Sequence, residues 1–213
     1  MLIYIKVVSI KVKVIHMTIK EKIIQMAKEN NGIITTSMLT KEKISRGNLK
    51  YLYDHGILEK STRGVYTIPE AWEDEMFNLQ NQFKKGIYSH ETALFLLNLT
   101  DRTPNTYHMT FPATYNVTKP KQLNIKCTQC QKEFYTIGII TTTTPNGNSV
   151  FTYNAERTLC DILRIHNHID IQIISDAFKQ YVTKKDKNIP LLSEYAKLFK
   201  VEKKLRSYLE VLL

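Results

Sequence analysis

The sequence contains little cysteine, little glycine and fewer acidic than basic residues, and each shortage excludes a class of protein. Its 213 residues include three cysteines, seven glycines, and 20 acidic against 30 basic side chains. Three cysteines cannot form the paired framework of a small secreted protein, so we expect a reducing compartment, the cytoplasm. No apolar run approaches the roughly 20 residues that span a bilayer, so no membrane partner is expected.

Catalytic motifs are also missing, and we expect no enzyme. The glycines form no phosphate-cradling loop, no serine lies between turn glycines, and no His-Glu pair has the spacing of a helical metal site. A nuclease site could draw on Glu202 with Asp161 or Asp170, but these acids fall on helical patterns and not at strand ends. His90 and His108 are more often packed or hydrogen-bonded than catalytic. We assign no catalytic residue and no cofactor.

Cys127 and Cys130 have the spacing of half a zinc site. A complete site would need Cys160, or one of His166 and His168, to lie close in space, because no second pair follows. The alternative, which we favour, is a turn between two strands that holds two thiols. We therefore expect no metal.

Residues Thr18 to Pro69 have the pattern of three short helices followed by a hairpin. Thr18 is placed to cap the first helix and Asn31-Gly32 to end it. The second helix starts at Thr36 or Ser37, and Ser45 is placed to cap the third. This element order predicts a winged helix-turn-helix, a DNA-binding fold.

The hairpin, or wing, consists of two β-prone runs over 57–60 and 65–68. The four residues between them include Gly64, which can adopt positive φ at the turn. We expect Lys60 and Arg63 at the hairpin tip, over DNA phosphates or the edge of a minor groove. The alternative is that both are ordinary solubilising turn residues.

The third helix has one apolar face and one polar, cationic face. Leu49, Leu52 and Tyr53 are predicted to be buried, while Asn48 and Lys50 lie on the opposite face. Asparagine can pair with adenine, and lysine or arginine can neutralise phosphate, although many charged helix faces are merely solvated. The candidate DNA-binding residues are Ser45, Arg46, Asn48, Lys50, Tyr51, Lys60, Thr62 and Arg63.

Basic residues also accumulate near the C-terminus. Residues 179–206 hold nine bases and three acids, whereas the chain as a whole has a net charge of +10. This block could follow DNA phosphates, bind an acidic protein partner, or solvate a pair of helices. The candidate partner or phosphate surface comprises Lys179, Lys184, Lys185, Lys187, Lys197, Lys200, Lys203 and Lys204.

The first sixteen residues alternate Ile or Val with Lys, a strand-like pattern without the apolar centre of a signal peptide. They predict either a leader before an internal start at Met17 or an extra edge strand.

After Pro69 the pattern changes to a larger domain over residues 70–213. A linker helix over 71–83 carries Trp72, and Ser89 is placed to cap an apolar helix over 92–99. Strands are expected at 107–111, 123–126, 134–140 and 150–153, and helices at 155–165, 169–182, 191–199 and 202–212. The fold class is α+β, with an N-terminal winged helix-turn-helix followed by a mixed C-terminal domain.

Four strings in this order resemble the AbiEi antitoxins of bacterial abortive-infection systems. They are Arg63-Gly64-Val65-Tyr66, Tyr88-Ser89-His90-Glu91-Thr92-Ala93-Leu94, Thr110-Phe111-Pro112 and Ala155-Glu156-Arg157-Thr158-Leu159-Cys160-Asp161-Ile162-Leu163. The resemblance covers residues 17–213. It implies repression of the protein's own operon through inverted repeats in double-stranded DNA. It further implies that the C-terminal domain counters a nucleotidyltransferase toxin, AbiEii, without a stable complex.

The sequence is thus interpreted as a cytoplasmic autorepressor and antitoxin of a type IV toxin–antitoxin system. Two alternatives remain open. One is a DNA-binding component of a nuclease or restriction system, which an ordered divalent metal held by two acids would favour. The other is a structural nucleoid or partner-binding protein, which DNA binding without operator preference would favour.

Overall fold

The structure, a computed structural model, describes residues 17–164 and 169–212. These residues divide into two compact units, with the boundary between Ala71 and Trp72. The predicted α+β class is confirmed, with helices and a small antiparallel sheet first and a larger mixed sheet afterwards. The leader or strand expected over 1–16, and the possible zinc ligands His166 and His168, lie outside the described residues. Within them, no helix combines the length and apolarity needed to cross a membrane.

The described part of the N-terminal unit contains three helices and three strands. In chain order these are α1 (Ile19–Lys28), β1 (Ile33–Thr35), α2 (Thr36–Lys41), α3 (Gly47–Asp54), β2 (Glu59–Thr62) and β3 (Val65–Thr67). Thr18 caps α1 as predicted: the Glu21 N–H donates to the Thr18 hydroxyl at 3.2 Å, and the Thr18 N–H donates to the Glu21 carboxylate at 2.8 Å. Asn31 and Gly32 end the helix with φ of 53° and 80°. A side chain at Gly32 would also collide with Ala71.

The small sheet has the order β1-β3-β2, with both pairs antiparallel. Strand β1 was not predicted, because a three-residue run cannot be recognised by alternation. All three of its residues are buried. One apolar core joins the three helices to the sheet, and its fully buried members are Ile23, Ala27, Ile34, Leu39, Leu49, Leu52 and Leu58.

The C-terminal unit is built on a five-stranded sheet of order β6-β5-β4-β8-β7. Its elements are α4 (Glu75–Gln82), β4 (Ile87–Tyr88), α5 (His90–Leu96), β5 (His108–Pro112), α6 (Thr118–Gln122), β6 (Lys126–Cys130), α7 (Lys132–Tyr135), β7 (Ile139–Thr143), β8 (Ser149–Tyr153), α8 (Ala155–Ile162), α9 (Ile171–Thr183), α10 (Ile189–Leu198) and α11 (Glu202–Leu212). The β4–β8 and β5–β6 pairs are parallel, and the others are antiparallel.

Two apolar clusters stabilise this unit. One joins α5 and α8 to the C-terminal helices and contains the fully buried Leu94, Leu159 and Phe178. The other lies between the sheet and α4 and contains Met109 and Phe111 of β5. Since Met109 and Phe111 alternate with Thr110, one face of β5 is apolar and the other is polar.

Three predicted boundaries in this unit are wrong. The helix expected over 71–83 begins only at Glu75, because the Asp74 side chain caps it by accepting the Phe77 N–H at 2.9 Å. Trp72, the only tryptophan, is 87% exposed. The strand expected over 123–126 begins at Lys126, because Asn124 has a φ of 55°. The run over 134–140 divides at Gly138, φ 76°, into the end of α7 and the start of β7.

Two local predictions also need correction. Cys127 and Cys130 lie within strand β6 and not in a turn. Their spacing of three residues places the two thiols on opposite faces of the strand. Ser89 occupies the N-cap of α5, but its side chain makes no capping bond there. Its hydroxyl instead accepts a hydrogen bond from Thr110 at 2.9 Å, since both side chains are buried together.

Candidate nucleic-acid interface

Helices α2 and α3 form a helix-turn-helix in the N-terminal unit. The Thr35 hydroxyl caps α2 by accepting the Met38 N–H at 3.2 Å. The turn between the helices is closed by the Ile44 N–H, which donates to the Leu39 carbonyl at 2.8 Å, with Lys43 at a φ of 55°. Leu49 and Leu52 anchor α3 in the core. The opposite face of α3 is therefore held outward by buried contacts.

The predicted cap of α3 is wrong by one residue. The N-cap is Arg46, without a side-chain capping bond, and Ser45 precedes it. The Ser45 hydroxyl accepts the Gly47 N–H only at 3.4 Å. The Arg46 Nε donates to the Thr40 hydroxyl at 3.0 Å, so the guanidinium is anchored to α2 by one nitrogen while the side chain remains exposed.

The exposed side chains of α3 include Lys50 and Tyr51, as predicted. Tyr51 is 56% exposed, and its ring lies 4.0 Å from the His55 ring. The His55 Nδ1 also lies 2.8 Å from the Tyr51 carbonyl oxygen. Sequence reasoning missed His55, although its spacing of four residues from Tyr51 places both on one helix face. An exposed aromatic pair can contact base edges or the thymine methyl group.

Asn48 and Tyr53 do not have the expected surroundings. Asn48 is half-buried, and its amide nitrogen donates to the Ser45 carbonyl at 2.9 Å, which uses one of its two N–H groups. Tyr53 was expected to be buried, but it is 45% exposed with its ring edge towards Tyr66 at 6.3 Å. The polar face of α3 is therefore centred on Arg46, Lys50 and Tyr51 more than on Asn48.

The wing has a shorter turn than the sequence predicts. Strand β2 continues to Thr62, which pairs with Val65, so the turn consists of Arg63 and Gly64. Lys60 is not at the tip: it lies within β2 opposite Tyr66. Thr62 is half-buried, whereas Lys60 and Arg63 are exposed. Arg63 is thus the single cation of the tip.

A direct contact fixes the wing relative to the helix-turn-helix. The Thr36 N–H at the start of α2 donates to the Gly64 carbonyl at 2.9 Å. Gly64 has a φ of 81°, and a Cβ atom there would lie 3.0 Å from the Thr36 hydroxyl. Both the backbone conformation and the close approach favour glycine at this position.

The basic block over 179–206 separates into two groups at opposite ends of α10. Lys184, Lys185 and Lys187 follow α9, whereas Lys200, Lys203 and Lys204 follow α10, whose 10 residues span about 15 Å. Lys179 precedes the first group on α9, and Lys197 belongs to the last turn of α10. The Lys204 Nζ donates to the Leu163 carbonyl at 2.8 Å. Most of these lysines therefore lie towards one or the other end of α10, and their role as one surface stays a prediction.

The acids of the nuclease alternative do not form a cluster in the described part of the chain. Asp161 is buried and accepts a bond from the Arg157 Nε at 2.8 Å, whereas Asp170 caps α9. Among the described residues, no group of three His, Cys, Asp or Glu side chains could hold a metal ion. Burial raises the pKa of all three thiols, that of Cys160 to about 12. Protonated thiols are poor nucleophiles and poor metal ligands.

Comparison with known proteins found a family model that matches part of the N-terminal unit. Residues 21–69 match the family model described as "Transcriptional regulator, AbiEi antitoxin". The resemblance predicted from the sequence is therefore confirmed for this segment, which contains α2, α3 and the wing. No curated protein matches the chain.

The fold of the chain is similar to a solved structure, that of the RV2827C protein from Mycobacterium tuberculosis. The two share 13% sequence identity with a TM-score of 0.50, over 82% of this chain and 70% of that one. At this identity the likeness establishes a related fold and carries no functional residue.

Proposed function

We propose that the protein is a transcriptional autorepressor and antitoxin of a type IV toxin–antitoxin phage-defence system. The observation that carries this proposal is the match of residues 21–69 to a family of AbiEi transcriptional regulators and antitoxins. The matched segment is the one that presents Arg46, Lys50 and Tyr51 on a single helix. The protein acts in the cytoplasm, where its DNA lies and where its unpaired thiols stay reduced.

Helix α3 enters the major groove of the operator in this proposal. Lys50 and Tyr51 meet base edges there, because they project from the face opposite the buried Leu49 and Leu52. Arg46 and Lys60 contact phosphates on either side. Arg63 reaches the backbone or the adjacent minor groove, since the bond between Thr36 and Gly64 holds the wing beside α2.

Binding to the protein's own promoter tests this function. Each winged helix places three exposed cations, Arg46, Lys60 and Arg63, at phosphates, and an inverted repeat would bind two copies. Between 50 and 200 mM salt, affinity should fall by about one and a half powers of ten for one copy and about three for two. A gel-shift titration measures this. A flat salt response, or equal affinity for promoter and random DNA, would contradict the proposal.

Antitoxin activity is assigned to the C-terminal unit, acting against a nucleotidyltransferase toxin without a stable complex. The lysine group Lys184, Lys185 and Lys187 is exposed or half-exposed, and no described carboxylate forms an ion pair with it. We expect it to contact an acidic partner or nucleic acid involved in toxicity.

Charge reversal of these three lysines in the full-length protein tests the assignment. The triple substitution to glutamate should impair growth rescue against the toxin and leave promoter binding unchanged. Reversal of Lys50 and Arg63 is the matched control, and it should abolish promoter binding while rescue is retained. The opposite pattern would show that toxicity is relieved through DNA binding alone.

A further inference from the structure

The C-terminal unit contains a cleft of about 360 Å³ beside the edge strand β6, with both polar and apolar residues in its lining. Residues of β5, β6, α5, α7, α8 and the turn after α10 line it. A cleft of this volume is in the size range of small-molecule sites. All of its lining residues belong to the C-terminal unit, and none of them serves the contacts proposed above.

The floor of the cleft is the face of strands β5 and β6 that carries Thr110 and Thr128, and this face is polar although Thr110 is buried. Thr110 of β5 pairs in register with Thr128 of β6, and both line the cleft. Thr110 is 2% exposed and donates to the Ser89 hydroxyl, which also lies 3.0 Å from the His90 Nδ1. Apolar side chains would fill such a floor without the cost of burying polar groups. The floor is therefore polar, and the partly exposed Thr128 is the hydroxyl that it presents to a ligand.

Two stacked histidines lie at this floor: His90 lines the cleft, and His108 packs against it. The His90 and His108 rings lie 4.0 Å apart and nearly parallel, at 10°. The His108 Nε2 lies 2.8 Å from the Thr128 hydroxyl. Burial, with His90 and Lys126 as smaller causes, lowers the pKa of His108 to about 2, so its ring is neutral at physiological pH. Neutral rings and hydroxyls provide hydrogen bonds without a fixed charge.

The wall of the cleft holds a buried arginine. Arg157 is 1% exposed; its Nη1 donates to the Phe134 carbonyl at 2.7 Å, and its guanidinium carbon lies 3.9 Å from the centre of the Phe199 ring. Its charge is compensated by Asp161. Phe134 and Phe199 both line the cleft and form an aromatic wall. Phe199 is only 8% exposed and has the Arg157 guanidinium over its ring, so the half-buried Phe134 provides the more accessible ring.

The mouth of the cleft is cationic. Arg164 and Lys200 line it, and both also line an adjoining cleft of about 470 Å³ together with Lys203 and Lys204. Across the two clefts, five cations face only two carboxylates, those of Asp161 and Glu202. Asp161 is shared between Arg157, at 2.8 Å, and Arg164, at 3.9 Å, so the five cations exceed the two carboxylates by three charges. The potential at the mouth is therefore positive and favours an anion.

We propose that this cleft binds a nucleotide, with its phosphate at Arg164 and Lys200 and its base against Phe134 of the aromatic wall. The two cations donate hydrogen bonds to the phosphate, because guanidinium and ammonium groups form charge-assisted bonds with it. The aromatic wall and the hydroxyl floor suit a planar base that carries polar edges. The volume exceeds what a free phosphate would occupy, which is why a nucleotide is favoured over the inorganic ion.

Isothermal titration calorimetry on the full-length protein without DNA tests this site. The probes are the four ribonucleoside 5′-monophosphates and triphosphates, the corresponding nucleosides, and inorganic phosphate. At least one nucleotide should bind more tightly than both its nucleoside and inorganic phosphate. Binding of inorganic phosphate as tightly as any nucleotide would refute the role of the aromatic wall.

The decisive variant is Lys200→Asn, alone and with Arg164→Ala. Lys200 is exposed and has a φ of 58°, which asparagine tolerates, so the single substitution should leave the fold intact. Each substitution should weaken nucleotide binding about tenfold or more. The control is Lys119→Ala, an exposed lysine of α6 that lines neither cleft, and it should not change affinity. The proposal would be overturned if Lys200→Asn and the control variant lost nucleotide affinity equally. It would also be overturned if no nucleotide bound at millimolar concentration.

Discussion

Replacing Arg63 by alanine should remove one phosphate contact from each bound copy of the protein. Arg63 is the only cation of the two-residue wing turn, and it is exposed. Each phosphate contact contributes about 0.9 to the slope of log affinity against log salt concentration. With three phosphate-contacting cations, Arg46, Lys60 and Arg63, the slope should be about −2.7 per copy, and Arg63→Ala should reduce its magnitude to about 1.8.

The comparison variant is Tyr51→Ala, which removes a predicted base contact without changing charge. It should leave the salt slope unchanged and reduce the preference for promoter over random DNA by about 1–3 kcal/mol. Arg63→Ala should weaken binding to both DNAs by the same factor.

Fluorescence anisotropy of labelled promoter and random duplexes, titrated at several potassium chloride concentrations, measures both quantities. Circular dichroism confirms that each variant is folded. If Arg63→Ala left the slope unchanged, or if both variants gave the same promoter-to-random ratio, the division into phosphate-contacting and base-reading residues would be wrong.

Three further predictions concern stability. Gly64→Ala should lower the free energy of unfolding, measured by urea denaturation, by about 1–2 kcal/mol. The reasons are the φ of 81° at Gly64 and the close approach of the new Cβ atom to Thr36. An unchanged free energy of unfolding would show that the wing adjusts to the side chain. Asp161→Asn should lower the same free energy of unfolding by about 3–5 kcal/mol, because it leaves the Arg157 charge buried without its carboxylate. A decrease below about 1 kcal/mol would mean that water reaches the guanidinium. The depressed pKa of His108 means that the unfolded chain binds more protons below pH 6.5, so stability should fall as pH decreases from 6.5 towards 2, by up to about 1.4 kcal/mol per unit. His108→Gln should flatten this pH dependence, and an unchanged profile would contradict the assignment.

The N-terminal unit could be predicted closely because its signals are local. Thr18 with Glu21 is a capping box, and Asn31-Gly32 adopts the positive φ that ends a helix. The errors lie where local signals compete. Ser45 looks like a cap, but the helix starts after Arg46, whose side chain binds Thr40 from the neighbouring helix.

The C-terminal unit was predicted less well, because its strands are short and their limits depend on single residues. Gly138 and Asn124 interrupt apolar runs with positive φ, which alternation of side chains does not reveal. Cys127 and Cys130 resemble half a metal site in sequence, yet the strand places their thiols on opposite faces.

The sequence by itself determined the α+β class, the winged helix and the cationic face of its third helix, because helix caps, turn glycines and amphipathic spacing act within a few residues. Only the tertiary structure decided which residues meet across long separations. Thr36 meets Gly64 at the wing, the lysines divide between the two ends of α10, and Thr110, Arg157 and Lys200 line one cleft. Such contacts depend on strand order and helix packing, which no local pattern specifies.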